Sequence, residues 1–525
     1  MIDPWLPPDG VRRASDVITV SVGMFKGGGF RCPAADALKA RGYRPIQRVG
    51  QPHESLEHFT FGPFMAACDA RAGGGGEGSP GSDAGPERPL HDGLRQWSAH
   101  ALASYRAAFP ADSDGPSLHE VAQPWIYRYR PRADDPWQAR EYRLTVWGRR
   151  LQSSDGKVRE LRLPVNRLRK DNPPESFVAA AALVLAEGRP GPLPERVRIV
   201  EFALLGGPPR TLFDGTSQDA RALYRASGRS ALASVLDGQE YRPGSSCVEC
   251  PFLAVCPALQ RAPGLLGVES VGRPRRSWSV TNGRNYRICP ARDHMRRLHL
   301  PAADAIEHDP SAERGRALHA YLAQCHGMGL ARPCSVDVPE SWVPAGYDLP
   351  AEERALGARL LRHHAAVCPL RLARDGADVR AEPRVVRHDT TADVIVIAAP
   401  DLLYRDAGSW VWRETKTSSY RSSSNRSLLE QYPQLALATL LLARGDLGGP
   451  PDRARIELEV LRPGGADLEV IDPFAVGTRA TAERIVRDLV DGWLQDDDYP
   501  ARPGRACERC EMTPWCSKSA TPQET

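Results

Sequence analysis

Cys247-Val-Glu-Cys250-Pro-Phe-Leu-Ala-Val-Cys256 and Cys507-Glu-Arg-Cys510-Glu-Met-Thr-Pro-Trp-Cys516 share one spacing, C-x2-C-x5-C, at a distance of 260 residues. Each triplet is one thiolate short of a tetrahedral four-sulfur site. Cys32 and Cys289, each followed by proline, are candidates for the fourth ligand, and they lie 257 residues apart. Local sequence agrees: Ser21-Val22 leads to Phe30-Arg31-Cys32-Pro33, and Ser279-Val280 leads to Arg287-Ile288-Cys289-Pro290. The spacing predicts a tandem duplication in which each copy has its first and last segments pinned by one metal centre. Such a pin removes loop entropy from the unfolded chain. The alternative is a pair of zinc ribbons, each completed by another local ligand.

Working outward, residues 1–262 form the first copy, 263–276 read as a linker, and 277–525 form the second. The low-complexity stretch 73–89 reads as a disordered insertion in the first copy. The chain of 525 residues is 41% hydrophobic and 26% charged with a formal net charge of +4, an ordinary globular balance. That charge is too small to argue for nucleic-acid binding by itself. No apolar run approaches the ~20 residues of a membrane span, and the first residues lack a signal-peptide pattern. The expectation is a cytoplasmic protein with no membrane partner. In a reducing compartment, spaced cysteines read as metal ligands and isolated ones as small buried apolar residues. Cys68, Cys325, Cys334 and Cys368 fall in the second class.

In the second copy, Asp309-Pro310 predicts a helix start carrying Gly315-x3-His319. A further helix is expected over 351–364. Strands follow at Val379–Val386, Asp393–Ala399 and Ser409–Lys416, then a long helix Leu428–Ala443, a strand Arg455–Leu461 and a terminal helix over 473–495. Asp401 is expected to close one strand. Glu414 and Lys416, two apart on the next, project from one face. Paired carboxylates converging at a sheet end suit a hard divalent cation, and a nearby ammonium suits phosphodiester hydrolysis. Lysine is scarce, six residues against 63 arginines, which singles out Lys416.

With these residues in place, the second copy resembles a RecB-type nuclease of the PD-(D/E)XK superfamily, in the iron–sulfur branch that includes AddB-like and CRISPR-associated nucleases. The matching elements are Tyr286-x2-Cys289-Pro290, Gly315-x3-His319, Pro400-Asp401, Glu414-Thr-Lys416, Gln434 and the terminal cysteine triplet. The resemblance implies two tandem restriction-endonuclease-like α/β/α domains. It implies Mg²⁺ or Mn²⁺ held by His319, Asp401, Glu414 and the Thr415 carbonyl, with catalytic roles for Asp401, Glu414, Lys416 and Gln434. It further implies a [4Fe–4S] cluster on Cys289, Cys507, Cys510 and Cys516, with a second such set at Cys32, Cys247, Cys250 and Cys256. The implied activity is DNA cleavage on single strands or ends in repair, recombination or phage defence, with any helicase a separate protein because no Walker motif is present. The alternative is a non-catalytic iron–sulfur scaffold that binds DNA within a helicase–nuclease complex. Two departures stand out: Ala438 replaces the tyrosine of the Gln-x3-Tyr pattern, and Pro400 replaces the glycine before the metal aspartate.

Sliding the first copy onto the second sets Ala66 against His319, Glu160 against Glu414, Arg162 against Lys416 and Phe177 against Gln434. No acid falls near the Asp401 position. Arginine cannot take over a catalytic lysine's role, because its wider guanidinium stays protonated. The first copy therefore reads as catalytically degenerate.

Overall fold

The computed structural model describes residues 5–47, 61–72, 90–110, 117–132, 134–303, 309–327, 333–371, 378–418 and 426–518. The stretch 73–89 lies outside them. The chain divides into two compact units at Leu259/Gln260, with Met295–Pro301 and Trp515–Ser517 grouped with the first.

In the first unit β1 (Leu118–Glu120), β2 (Arg149–Ser153), β3 (Val158–Val165), β4 (Arg196–Ala203) and β5 (Arg210–Thr216) form a sheet in the order β5-β4-β3-β2-β1. Neighbours are antiparallel except β3 and β4, which are parallel. A parallel pair needs a crossover, supplied by α1 (Glu175–Glu187), whose apolar sequence is buried without a break from Phe177 to Ala186. A second sheet sets Val17–Ser21 parallel to Glu141–Thr145, with Ile126–Tyr129 antiparallel beside it.

The second unit has the same strand plan. Its helices α2 (Pro310–Gly327) and α3 (Ala351–Val367) precede a five-stranded sheet. The strands β6 (Val379–Ala381), β7 (Leu402–Asp406), β8 (Ser409–Thr417), β9 (Arg455–Arg462) and β10 (Gly465–Ile471) run in the order β6-β7-β8-β9-β10. Again only β8 and β9 are parallel, and α4 (Pro433–Ala443) crosses between them. The small sheet sets Arg276–Trp278 parallel to Val394–Ala398, with Val385–Asp389 antiparallel beside it.

Several expectations change. Asp401 does not close a strand: it precedes β7, which sequence reading missed. The expected strand Asp393–Ala399 becomes Val394–Ala398 and joins the small sheet, so the hairpin partner of β8 is β7. Ala407 and Gly408 turn the chain between them with φ of 47° and 90°, the mirror-image two-residue turn that matches strand twist. The expected helix Leu428–Ala443 breaks into Leu428–Gln431 and α4, because Pro433 lacks the N–H that a continuous helix needs. Nor is 263–276 a free linker. Ala262, Leu265 and Leu266 are buried in the core of the second unit, and the Asp389 carboxylate accepts the N–H groups of Gly264 and Leu266 at 2.9 and 2.8 Å.

The sheet of the second unit has a helix layer on each face. On the α4 face, Trp410, Trp412, Leu403, Ile456 and Leu458 pack with Leu435 and Leu437. The opposite face mixes Leu402, Tyr404 and Val411 with buried Arg413, Thr415, Glu457 and Glu459. Arg413 reaches Glu457 at 3.0 Å and Glu459 at 3.3 Å, and it donates to the Val367 carbonyl at the end of α3.

Removing one partner from such a set strands the others. Arg413→Ala should therefore lower unfolding stability by about 3–5 kcal/mol, measured by urea denaturation of the full chain.

Candidate active site

Helix α2 begins where the Asp309 carboxylate accepts the N–H groups of Ser311 and Ala312, both at 3.1 Å, a side-chain N-cap. Ten residues on, His319 brings Nδ1 within 3.1 Å of Asp401 Oδ1. Asp401 is fixed from the other side by the Thr415 N–H, which donates to Oδ2 at 2.7 Å. That bond lies along the β7–β8 pairing, so the short turn sets the position of the acid. Glu414 and Lys416 share the α4 face of β8 with Trp412, whose Nε1 donates to Glu414 Oε1 at 3.1 Å. Lys416 Nζ donates to Glu414 Oε2 at 2.9 Å, to the Thr415 carbonyl at 3.1 Å and to Asp401 Oδ2 at 3.3 Å.

Charge and burial set the protonation states. Burial alone would lower the Lys416 ammonium, but the carboxylates of Glu414 and Asp401 outweigh it and hold its pKa above the usual lysine value. Burial pushes Glu414 above the ordinary carboxylate range, with Lys416 pulling against it. Asp401 goes the other way: burial would raise it, but His319, Lys416 and the Thr415 N–H hold it low. His319 is raised by Asp401 against its own burial.

An imidazole, two carboxylates and the Thr415 carbonyl are ligands suited to a hard divalent cation. The donor chemistry fits Mg²⁺ or Mn²⁺. Glu382, which sequence reading missed, lines the same cavity as His319, Asp401 and Thr415, and its N–H donates to the Asp401 carbonyl at 3.1 Å. Gln434 sits half-buried at the start of α4, and no hydrogen bond joins it to the cluster among the described residues.

Residues 277–517 match the family described as the PD-(D/E)XK nuclease superfamily. This segment is a PD-(D/E)XK nuclease domain. Such domains hydrolyse phosphodiester bonds and usually depend on a divalent metal, in keeping with the cluster just described. No curated protein matches the chain. A solved structure titled "Crystal structure of SSO0001" is similar over 47% of this chain and 87% of its own, at 16% identity and a TM-score of 0.25.

The cysteine segments fold alike. Ser245–Glu249 and Leu253–Val255 form two 3-10 turns, as do Arg505–Arg509 and Thr513–Trp515. The Arg242 N–H donates to Cys32 Sγ at 3.4 Å and the Arg502 N–H to Cys289 Sγ at 3.4 Å. In the first unit Cys32, Cys247, Cys250 and Cys256 line one cavity of about 310 Å³. In the second, the Arg502 contact ties Cys289 to the segment that leads into Cys507 and Cys510.

The expected alignment of the first unit needs a corrected register. Glu160 is buried between Arg162 and Arg198, on the face of β3 turned from the crossover helix. Leu161 and Leu163 face α1 and join its core. Glu414 and Lys416 lie on the crossover-helix face of their own strand, whereas Arg159, Leu161 and Leu163 take that face in the first unit. A one-residue slip swaps the two faces of a strand, and the Glu-x-Arg spacing conceals it.

The isolated cysteines also need correction. Cys334 and Cys368 are not lone apolar residues: with His326 and His364 they bring four ligand atoms within 4.8 Å of one another, a cluster able to bind metal. A search for repeated cysteines or His-x3–5-His passes over it. The readable signal was the mixed pair His364-x3-Cys368, one helical turn apart.

Glu160→Gln should leave any nuclease rate within about twofold of wild type, whereas Lys416→Arg should lower it by about 100-fold or more. Initial rates on one labelled DNA substrate check both.

Proposed function

We propose that the second unit is a metal-dependent deoxyribonuclease of the RecB type that acts on single strands or DNA ends. The observation that carries this is the convergence of His319, Asp401, Glu414 and Lys416 on one sheet end. Asp401, Glu414, His319 and the Thr415 carbonyl would hold Mg²⁺ or Mn²⁺. Such an ion, when bound, acidifies water and offsets charge building on the phosphoryl oxygens. The protein's own part is positioning. Asp401 orients the His319 ring, and Trp412 fixes one oxygen of Glu414. Lys416, held protonated by its two acids, donates hydrogen bonds to the attacking water or the scissile phosphate and does not act as a base. No alkaline loss of activity from Lys416 is therefore expected below about pH 10, which a pH–rate profile reads directly.

Incubation of the full chain with labelled single-stranded and duplex DNA and Mn²⁺ tests the assignment. Cleavage should fall by about 100-fold or more in Asp401→Ala and in Lys416→Ala. Unchanged activity in both would reject it, and firm DNA binding without cleavage under any divalent cation would favour a scaffold role.

The first unit reads as a duplicated, catalytically silent copy. Its support is the shared strand order, the shared crossover and the matching thiol turns. Both cysteine sets are proposed to carry [4Fe–4S] clusters. A cavity of about 310 Å³ offers room for a multi-atom cluster, and backbone N–H groups aimed at Sγ atoms stabilise thiolate charge. Anaerobically purified protein should contain about four irons and matching acid-labile sulfide per filled site, and Cys289→Ser should remove one set. Zinc without sulfide would overturn this.

A further inference from the structure

His326, Cys334, His364 and Cys368 play no part in the chemistry above, and they share one buried pocket between the helices of the second unit. We infer that they form a structural Zn²⁺ site of the Cys₂His₂ class. Their ligand atoms lie within 4.8 Å of one another; His326, His364 and Cys368 are buried and Cys334 is half-buried. His326 Nε2 is 3.3 Å from Cys334 Sγ and 3.9 Å from Cys368 Sγ. Two thiolates and two imidazoles at tetrahedral range are the ligand set that selects zinc among the common divalent ions.

Two independent observations point to a cation. His364 is 1% exposed, and its Nε2 has no well-aligned hydrogen bond among the described residues, with only the Cys368 thiol beside the ring. A buried ring nitrogen with no well-aligned partner, set beside a thiol, is accounted for when both face a metal. The other ring nitrogen, Nδ1, meets the Glu459 carboxylate at 2.8 and 3.0 Å. A carboxylate behind an imidazole fixes the tautomer and raises the basicity of the ligating nitrogen, the usual arrangement behind a metal-bound histidine.

The placement also gives the ion work to do. His326 lies in the last turn of α2, His364 in the last turn of α3, and Cys368 caps α3. The apolar cluster between these helices is small, built around Leu318, Leu322, Trp342, Leu360 and Leu361. A metal clasp at their C-terminal ends supplies what so small a core does not. Glu459 then links the clasp to the sheet, since its Oε2 accepts from Thr415 Oγ1 at 3.0 Å. The site stands apart from the iron–sulfur cysteines and does not depend on the nuclease assignment.

The test is metal content. Full-length protein from zinc-supplemented cells, freed of any histidine tag, should lose one equivalent of zinc in Cys334→Ser/Cys368→Ser while its iron stays constant. Equal zinc in the two proteins, or no zinc in the wild type, overturns the inference. Should the double variant fail to fold, wild-type protein gives the answer through alkylation of the native chain and peptide mass spectrometry. Cys334 and Cys368 should react with iodoacetamide only after a zinc chelator is added. Reaction before the chelator, or equal protection before and after it, overturns the site.

Discussion

The carboxylate of Glu459 is the point on which the second unit turns. It is fully buried, and an unpaired charge there would be ruinous. Arg413 and Thr415 from β8 and His364 from α3 satisfy it together. Those contacts fix the angle of α3 on the sheet and the height of β8 beneath it. The other face of β8 carries Glu414 and Lys416, so two polar systems share nine residues of one strand, separated only by its alternation. Anchoring the odd residues below holds the even residues above in place for chemistry.

Much of the site was legible because its residues sit close together in sequence. Glu414 and Lys416 are two apart on a strand rich in tryptophan and valine, and Asp309-Pro310 announces the helix that delivers His319. The terminal cysteine triplet reports itself by spacing alone. What failed did so for identifiable reasons. The strand Leu402–Asp406 was hidden because Ala407-Gly408 lacks the asparagine or aspartate that marks such a turn. The segment 263–276 resembles a linker in composition, yet Leu265-Leu266 buries itself once Asp389 takes up the neighbouring amides. His326, Cys334, His364 and Cys368 belong to three segments, and beyond the pair His364-x3-Cys368 no pattern along the chain unites them before α2 and α3 are packed.

The two units show how one scaffold tolerates opposite demands. In the second, the crossover-facing side of the central strand holds acid and ammonium, which costs burial energy that neighbouring charges must offset. In the first, leucines fill the corresponding places and α1 closes over them with an almost unbroken apolar helix. Glu160 sits on the reverse face between two arginines, and the buried Arg159 on the crossover face donates to the Leu185 and Gly188 carbonyls at the end of α1. The fold keeps its strand order either way, because the parallel pair and its crossover depend on helix burial and not on the chemistry at the sheet end.

The turn at Ala407-Gly408 has a further consequence. With two residues linking the strands there is no slack in the hairpin, so the offset between Asp401 and the Thr415 amide is dictated by counting from the tip. Adding a single residue there would slide one strand past the other and send the acid to the wrong side of the sheet while leaving every side chain intact. The geometry of this centre is thus written as a length, in a place with no chemistry of its own.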